Sequence, residues 1–420
     1  MQRSLRIVTD SDGRVVAPRL LSWVEFAEED RWAPKFDHWW AFPVCSYDHA
    51  LTGNERAVFE EVRSDPSIKK IVLTRSRRVE LDGPNVVIVP LKSPEGQHYL
   101  LRARQIFVKH GPRSNAVYAL SPRRHNFINL WHGVPLKRFG FASLDTPARR
   151  RRALEENRRC RAVVTSSRVD TLAMLAAFYP MTYEDMWATG LPRNDFVLCA
   201  EDRLPVDLRE QESRLRALVG DRRLVLFVPT FKDAQSDSYY EFSEEELAWL
   251  GAWCERENVV LGVREHMADT ARTYSRLVTA VGALNLSSRR FPDVEVLYRV
   301  ASALVTDYSS CLVDFLLTGR PVVSFAYDLD RYAYSERGLF YDLEQVLPGP
   351  VCRDFASFST ALDHLFDPPD SEHREEYDWK RSLFFDHLDD QNAWRLVQRV
   401  RMLSHGERAT ASTGSEETVT

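Results

Sequence analysis

Short apolar runs alternate with longer amphipathic stretches along most of this chain. Runs at 71–74, 86–90, 106–108, 128–131 and 162–165 are bounded by turn residues and read as buried strands. Between them the pattern predicts helices over 54–64, with Asn54 as the cap, and over 146–159. A charged, turn-rich stretch at roughly 199–221 separates this series from a second one. There, strands are expected at 224–229, 259–263, 303–306 and 321–325, and helices at 244–257, 294–301 and 309–317. Strand–helix alternation implies parallel sheets covered by helices. Two such series predict an α/β chain of two doubly wound domains, 1–200 and 201–403, facing each other across a cleft. The first 35 residues are weakly patterned. A last helix is expected at 390–403, packing back across the domains. Residues 404–420 are rich in Ser, Thr, Glu and Gly with no apolar period, and are expected to be a disordered tail.

Composition narrows this reading. A chain of 420 residues exceeds one small core and suggests two or three domains, at about 150 residues each. The formal net charge of −5 gives no bulk attraction for nucleic acid, so no nucleic-acid partner is expected. No apolar run reaches the length of a membrane span, and the first residues lack a hydrophobic signal core. The six cysteines (45, 160, 199, 254, 311, 352) form no CxxC pair. That favours reduced thiols in a cytoplasm over a disulfide framework, and it offers no zinc site.

Several strand ends carry chemistry. The run ending at Trp131 delivers His132 and then Gly133, whose lack of a side chain lets backbone approach a ligand, with Lys137 and Arg138 close behind. An imidazole there is a candidate proton acceptor from an alcohol, although a lone histidine is more often structural. Downstream, Thr306-Asp307-Tyr308-Ser309-Ser310 joins a buried strand to a helix. A helix start with two serine hydroxyls can cradle a phosphate, or can be ordinary capping. Asp314, one turn in, either shapes that cradle or complements the helix dipole. Arg264 and His266 follow the strand at 259–263, and Thr230 and Lys232 follow the one at 224–229. The carboxyl ends of strands are where open α/β sheets bind ligands. Gly190 and Pro192 fix a turn whose Arg193, Asn194 and Asp195 can bridge loops. The basic run Arg149 to Arg152, continued by Arg158, Arg159 and Arg161, is a solvated helix face or a dock for an anionic surface.

Taken in order, these segments resemble the CDP-glycerol glycerophosphotransferase family of teichoic-acid and capsule polyol-phosphate polymerases and primases. Residues 131–137 are similar to its W-H-G-T-P-L-K signature, 190–195 to G-x-P-R-N-D and 229–233 to P-T-W-R-D. Arg264-Glu265-His266 resembles R-x-H, and 306–315 resembles T-D-Y-S-S-x-x-x-D-F. The resemblance covers about residues 37–394. Departures are Val134 for threonine, Phe231 and Lys232 for Trp and Arg, and Met267 for proline.

The resemblance implies a GT-B-like fold of two Rossmann-like domains, with the acceptor on the N-terminal side and a CDP-linked donor on the C-terminal side. It implies transfer of a polyol phosphate, glycerol phosphate first and ribitol phosphate as the alternative, to an acceptor hydroxyl with release of CMP. His132 and His266 would be catalytic. Arg264, Thr230, Ser309, Ser310, Asp314 and Gly133 would hold donor phosphate, supported by Lys137, Arg138, Arg193, Asn194, Asp195 and Asp307. No cofactor or metal is expected, since cationic side chains can stand in for a divalent ion. A lipid-linked or polysaccharide acceptor is implied, in a bacterial cytoplasm or on the inner membrane face, docked through residues 149–161. Two other readings compete: a sugar-nucleotide GT-B glycosyltransferase, and a non-catalytic polymer-binding subunit.

Overall fold

The structure is a computed structural model. It describes residues 8–9, 15–16, 19–45, 50–75, 79–143, 146–230, 232, 239–266, 274–332 and 338–413. Beyond a two-residue hairpin, β1 (Val8–Thr9) with β2 (Val15–Val16), the strands form two all-parallel sheets. The first contains β3 (Phe36–Pro43), β4 (Lys69–Thr74), β5 (Val86–Pro90), β6 (Ala103–Val108), β7 (Asn126–Asn129), β8 (Cys160–Val164) and β9 (Met186–Trp187), in the order β5-β4-β3-β6-β7-β8-β9. The second contains β10 (Arg223–Phe227), β11 (Val259–Val263), β12 (Leu284–Asn285), β13 (Ala303–Thr306), β14 (Val322–Phe325) and β15 (Val351–Cys352), in the order β12-β11-β10-β13-β14-β15. Central strands such as β4, β7, β11, β13 and β14 are buried along their whole length. Of these, β11, β13 and β14 read as near-continuous apolar runs for that reason.

Three expectations need correction. The strand expected at 128–131 stops at Asn129, because Trp131 turns into the left-handed region (φ 51°) and breaks the ladder. The stretch at 199–221 is not merely a connector. It contains the helix Val206–Val219, whose Leu208, Leu215 and Val219 are buried at helical spacing beneath a mostly charged surface. Residues 404–413 continue the last helix, Asn392–Thr413, where Glu407, Arg408, Ala409 and Ala411 favour helix. Residues 414–420 lie outside the described ones, as do Phe231, Asp233 and Met267. A capping box of Ser22 and Glu25 starts a further helix, Trp23–Trp32, in the weakly patterned leader.

One apolar core spans both sheets. Trp40, Val72 and Ile128 of the first half, Leu226, Leu304 and Phe315 of the second, and Leu396, Val397 and Val400 of the last helix belong to the same cluster. The C-terminal segment returns to the first half. Leu383 O accepts from Ser167 Oγ at 2.7 Å, Ser166 O accepts from the Asp386 N–H at 3.3 Å, and Arg401 pairs with Asp65 at 2.7 Å. This bracing brings the carboxyl ends of β7 and β13 together.

Candidate functional site

The site begins with one strained residue. A tryptophan at positive φ costs about 1–3 kcal/mol, and such strain persists only where the surroundings enforce it. Here they do. The Trp131 N–H donates to Asn129 Oδ1 at 2.9 Å, its carbonyl accepts from Asn54 Nδ2 at 3.1 Å, and its ring stacks on Phe139 at 4.2 Å. The turn projects His132 away from the sheet. Asn54 is not the helix cap expected of it: the helix is Gly53–Val62, and Asn54 is turned inward with 1% exposure. Its Nδ2 also donates to Leu130 O at 3.0 Å, and its Oδ1 accepts from the Arg193 N–H at 3.0 Å. One buried amide therefore ties the His132 loop to the turn at 190–195.

His132 is half-buried, and its Nδ1 is enclosed with no hydrogen-bond partner. The His110 ring lies 4.8 Å from its ring. Burial holds the imidazole well below its usual pKa, reinforced by the positive fields of His110, Lys109, Arg193 and His266. His132 is thus neutral at pH 7, the form able to take a proton. The same interaction places His266, an exposed residue just past β11, within electrostatic reach of His132.

Gly133 makes the crossing between halves. A Cβ at this position would stand 3.0 Å from Arg193 Nη2, 3.4 Å from Ser310 Oγ and 3.7 Å from Asp314 Oδ2. The His132–Gly133 turn therefore lies against Ser310, 178 positions beyond His132 by numbering. Arg193 is nearly buried and pairs across the halves with Asp314 and, at 3.6 Å, with Glu295. These carboxylates raise its pKa against the effect of burial. Burial in turn pushes Asp314 upward despite Arg193.

The β13 end supplies the facing wall. The helix Cys311–Phe315 continues as a 3-10 turn, Leu316–Thr318. Ser310 sits at its cap position with no side-chain cap bond, and Ser309 Oγ accepts from the Cys311 N–H at 3.4 Å. The amides of Tyr308, Leu312 and Asp314 donate to Asp307 and to the carbonyls of Ser309 and Ser310. Asp307 is a knot, accepting from the N–H of Thr230 (3.1 Å) and of Tyr308 (2.7 Å). Thr230 Oγ1 in turn accepts from Lys137 Nζ at 3.2 Å, a further contact between halves.

Four expected residues have other occupations. Arg264 donates to the carbonyls of Leu286 (3.1 Å), Phe291 (2.6 Å) and Pro292 (3.2 Å), which clamps that loop. Asp314 accepts from Arg193 Nη2 across the halves. Arg138 is exposed and donates to Leu339 O at 2.9 Å. Asp195 accepts from the N–H groups of Asn392 (2.9 Å) and Ala393 (2.8 Å), capping the last helix. Asn194 is buried at the start of the short helix Asn194–Leu198. Of the basic run, Arg149, Arg151, Arg152, Arg158 and Arg161 are exposed, while Arg150 and Arg159 bond the carbonyls of Ser143 (2.9 Å) and Leu120 (2.6 Å).

Sequence reasoning gave no site role to Lys109, His110, Asn54 or Asp328. The signal for the first two was present, since Lys109-His110-Gly111 follows the predicted strand at 106–108 much as His132-Gly133 follows its own. Asp328 links Lys232 Nζ (2.6 Å) to the Tyr308 hydroxyl (3.0 Å), and only the fold brings those three together.

Residues 42–402 match the family described as CDP-Glycerol:Poly(glycerophosphate) glycerophosphotransferase. The chain belongs to this family. Within the glycerophosphotransferase family it is 26% identical over 322 residues to a Staphylococcus epidermidis teichoic acid poly(glycerol phosphate) polymerase, covering 74% of this chain and 42% of that one. It is 26% identical over 296 residues to a Staphylococcus aureus teichoic acid glycerol-phosphate transferase, covering 67% and 72%. It is 24% identical over 287 residues to a Bacillus spizizenii teichoic acid poly(ribitol-phosphate) polymerase, covering 68% and 44%. The matches thus span less than half the length of the two polymerases. The solved wall teichoic acid polymerase TagF superposes with a TM-score of 0.73 at 20% identity, over 92% of each chain. The fold is accordingly GT-B-like, with two Rossmann-like domains.

Proposed function

We propose that this glycerophosphotransferase-family chain transfers a polyol phosphate, glycerol phosphate in the first instance, from a CDP-activated donor to an acceptor hydroxyl. The observation that supports this reading is the Gly133 crossing, where the turn carrying His132 lies against Ser310 of the other domain. His132 takes the acceptor O–H proton. The freed oxygen forms a bond to the donor's β-phosphorus. The bond from that phosphorus to the bridging oxygen breaks, and CMP departs with the electron pair. Ser309, Ser310 and Thr230 donate to phosphate oxygens, while Lys137 and His266 offset charge at the leaving group. Such a transfer depends mainly on positioning and charge stabilisation, which these side chains would provide. Family relatives named for poly(glycerol phosphate) and glycerol-phosphate transfer favour glycerol, and one named for poly(ribitol-phosphate) keeps ribitol as the second donor. The acceptor is a lipid-linked or polysaccharide hydroxyl. The exposed arginines within 149–161 are proposed to meet an anionic inner-leaflet surface; among the described residues no helix is long and apolar enough to cross a membrane.

The test is a donor panel. The protein is incubated with CDP-glycerol, CDP-ribitol and UDP-sugars, and nucleotide release and product mass are followed. CMP release with a product heavier by one glycerol phosphate is expected. UDP release from a sugar nucleotide alone would replace this reading with a glycosyltransferase.

A further inference from the structure

The turn that carries His132 is anchored at its start by Asn54 and Asn129. Its far end is held from the other domain. Lys137 and Leu339 face each other in an antiparallel bridge. The Arg138 N–H donates to Gly338 O at 3.0 Å, and the Phe340 N–H donates to Leu136 O at 2.8 Å. Residues 338–340 therefore lie along residues 136–138 as a short strap.

The strap is fixed to its own domain at both ends. The Gly338 N–H donates to Tyr332 O at 3.3 Å, and the Tyr332 ring stacks at 4.0 Å on Tyr308, the residue before Ser309. At the other end the Tyr341 ring meets Phe384 edge-on at 5.4 Å, and Asp342 caps the helix Leu343–Val346.

The Phe340 side chain leaves that domain. It packs into a small apolar cluster whose other members, Phe178 and Met174 among them, all come from the first domain. Its ring stands edge-on to Phe139 at 6.2 Å. Phe139 in turn stacks on Trp131 at 4.2 Å, and the Trp131 ring lies 4.3 Å from that of His132. Phe178 meets both Trp131 (5.5 Å) and Phe139 (5.8 Å) from within the first domain. Trp131 is the residue at positive φ, so the turn persists only while its surroundings hold it. Truncating Phe340 would open a gap beside Phe139 into which the stack can relax.

We propose that Phe340 is a positioning residue: lodged against Phe139, it holds the Trp131 ring and thereby sets the His132 imidazole where the acceptor proton is taken. This rests on the transfer reading above and deepens it, since the base of the first domain is then set by a side chain of the donor-side domain. The base is in place only where the two domains meet at the strap.

The experiment compares wild type with Phe340→Ala and with Phe340→Leu, a milder loss of volume, in the full chain. The first readout is the NMR titration of His132, assigned by its absence in His132→Ala. Burial holds this imidazole low, and the charged groups that act on it (His110, Lys109, Arg193 and His266) all lie off the strap. A changed midpoint therefore reports the placement of the ring. In Phe340→Ala the midpoint should rise by about half a pH unit or more, as the ring gains solvent. The second readout is turnover. Phe340→Ala should lower kcat by about tenfold or more, with CDP-glycerol affinity kept within about twofold. In the His132→Ala background the same substitution should cost less than about twofold, because no base remains to be positioned. An unchanged His132 midpoint, an equal loss of turnover with and without His132, or a parallel loss of CDP-glycerol affinity would each overturn the proposal. Should Phe340→Ala not fold, the same comparisons on Phe340→Leu decide it, with smaller changes of the same sign expected. Failure of the transfer reading looks different: the wild type releases no CMP from any CDP-polyol, while the His132 midpoint still moves in the variant.

Discussion

The chemistry at the residue scale turns on how His132 is held and charged. Burial and four cationic neighbours favour its neutral form, so the base stays competent below the ordinary histidine pKa of about 6.5. The sign of the pH dependence follows. In the free enzyme, kcat/KM should begin to fall only as pH drops below that value. A bound diphosphate brings negative charge that favours imidazolium, so the acid limb of kcat should lie at higher pH than that of kcat/KM. Parallel pH profiles of the two parameters check this, and the reverse order would contradict it. Asn54 is the second residue on which positioning depends. Asn54→Ala removes three hydrogen bonds from two loops. It should lower kcat by about 100-fold, the scale of an ångström-sized misplacement. Donor KM should change little, since the donor-side hydroxyls do not depend on it. His132 was legible in the sequence because a histidine, a glycine and a proline terminate an apolar run. Asn54 was not. It looked like an ordinary cap, and only the tertiary fold shows that the amide points inward to Leu130, Trp131 and Arg193.

Among the elements, the last helix shows what pattern reading can and cannot give. Its apolar positions, Leu396, Val397 and Val400, marked it as a packing helix. What the sequence concealed is its cap, which comes from Asp195, 197 positions upstream, through the N–H groups of Asn392 and Ala393 and the Asn392 side chain. The approach is close enough that Gly190, at φ 80°, has no room for a Cβ beside Asn392. Asp195→Ala should therefore cost about 1–2 kcal/mol, the scale of a lost N-cap. Hydrogen exchange should quicken in the first turn of that helix, and denaturant unfolding would give the stability loss. The helix Val206–Val219 is the converse case. Its many charges and the proline before it suggested a turn-rich connector, whereas four-residue spacing of a few buried side chains was enough to make it a helix. Short edge strands such as β9, β12 and β15 were invisible, because two residues carry no period.

For the whole molecule, alternation of strands and helices was sufficient to foresee two parallel-sheet domains. It could not foresee that one core runs through both, with the C-terminal helices bracing the first domain. Nor could it rank the motif residues. Arg264 clamps carbonyls and Asp314 holds Arg193, contacts that only the fold reveals. The crevice between the domains sorts these roles, and it is where the account is most exposed. Its central claim is that His132 takes the acceptor proton while the facing domain holds the donor. The direct measurement is CMP release from CDP-glycerol by His132→Ala, alongside its CDP-glycerol affinity and melting temperature. The account predicts turnover lower by about 10²–10⁴-fold, with donor affinity and melting temperature preserved. Turnover near the wild-type rate in a folded, donor-binding His132→Ala protein would contradict it.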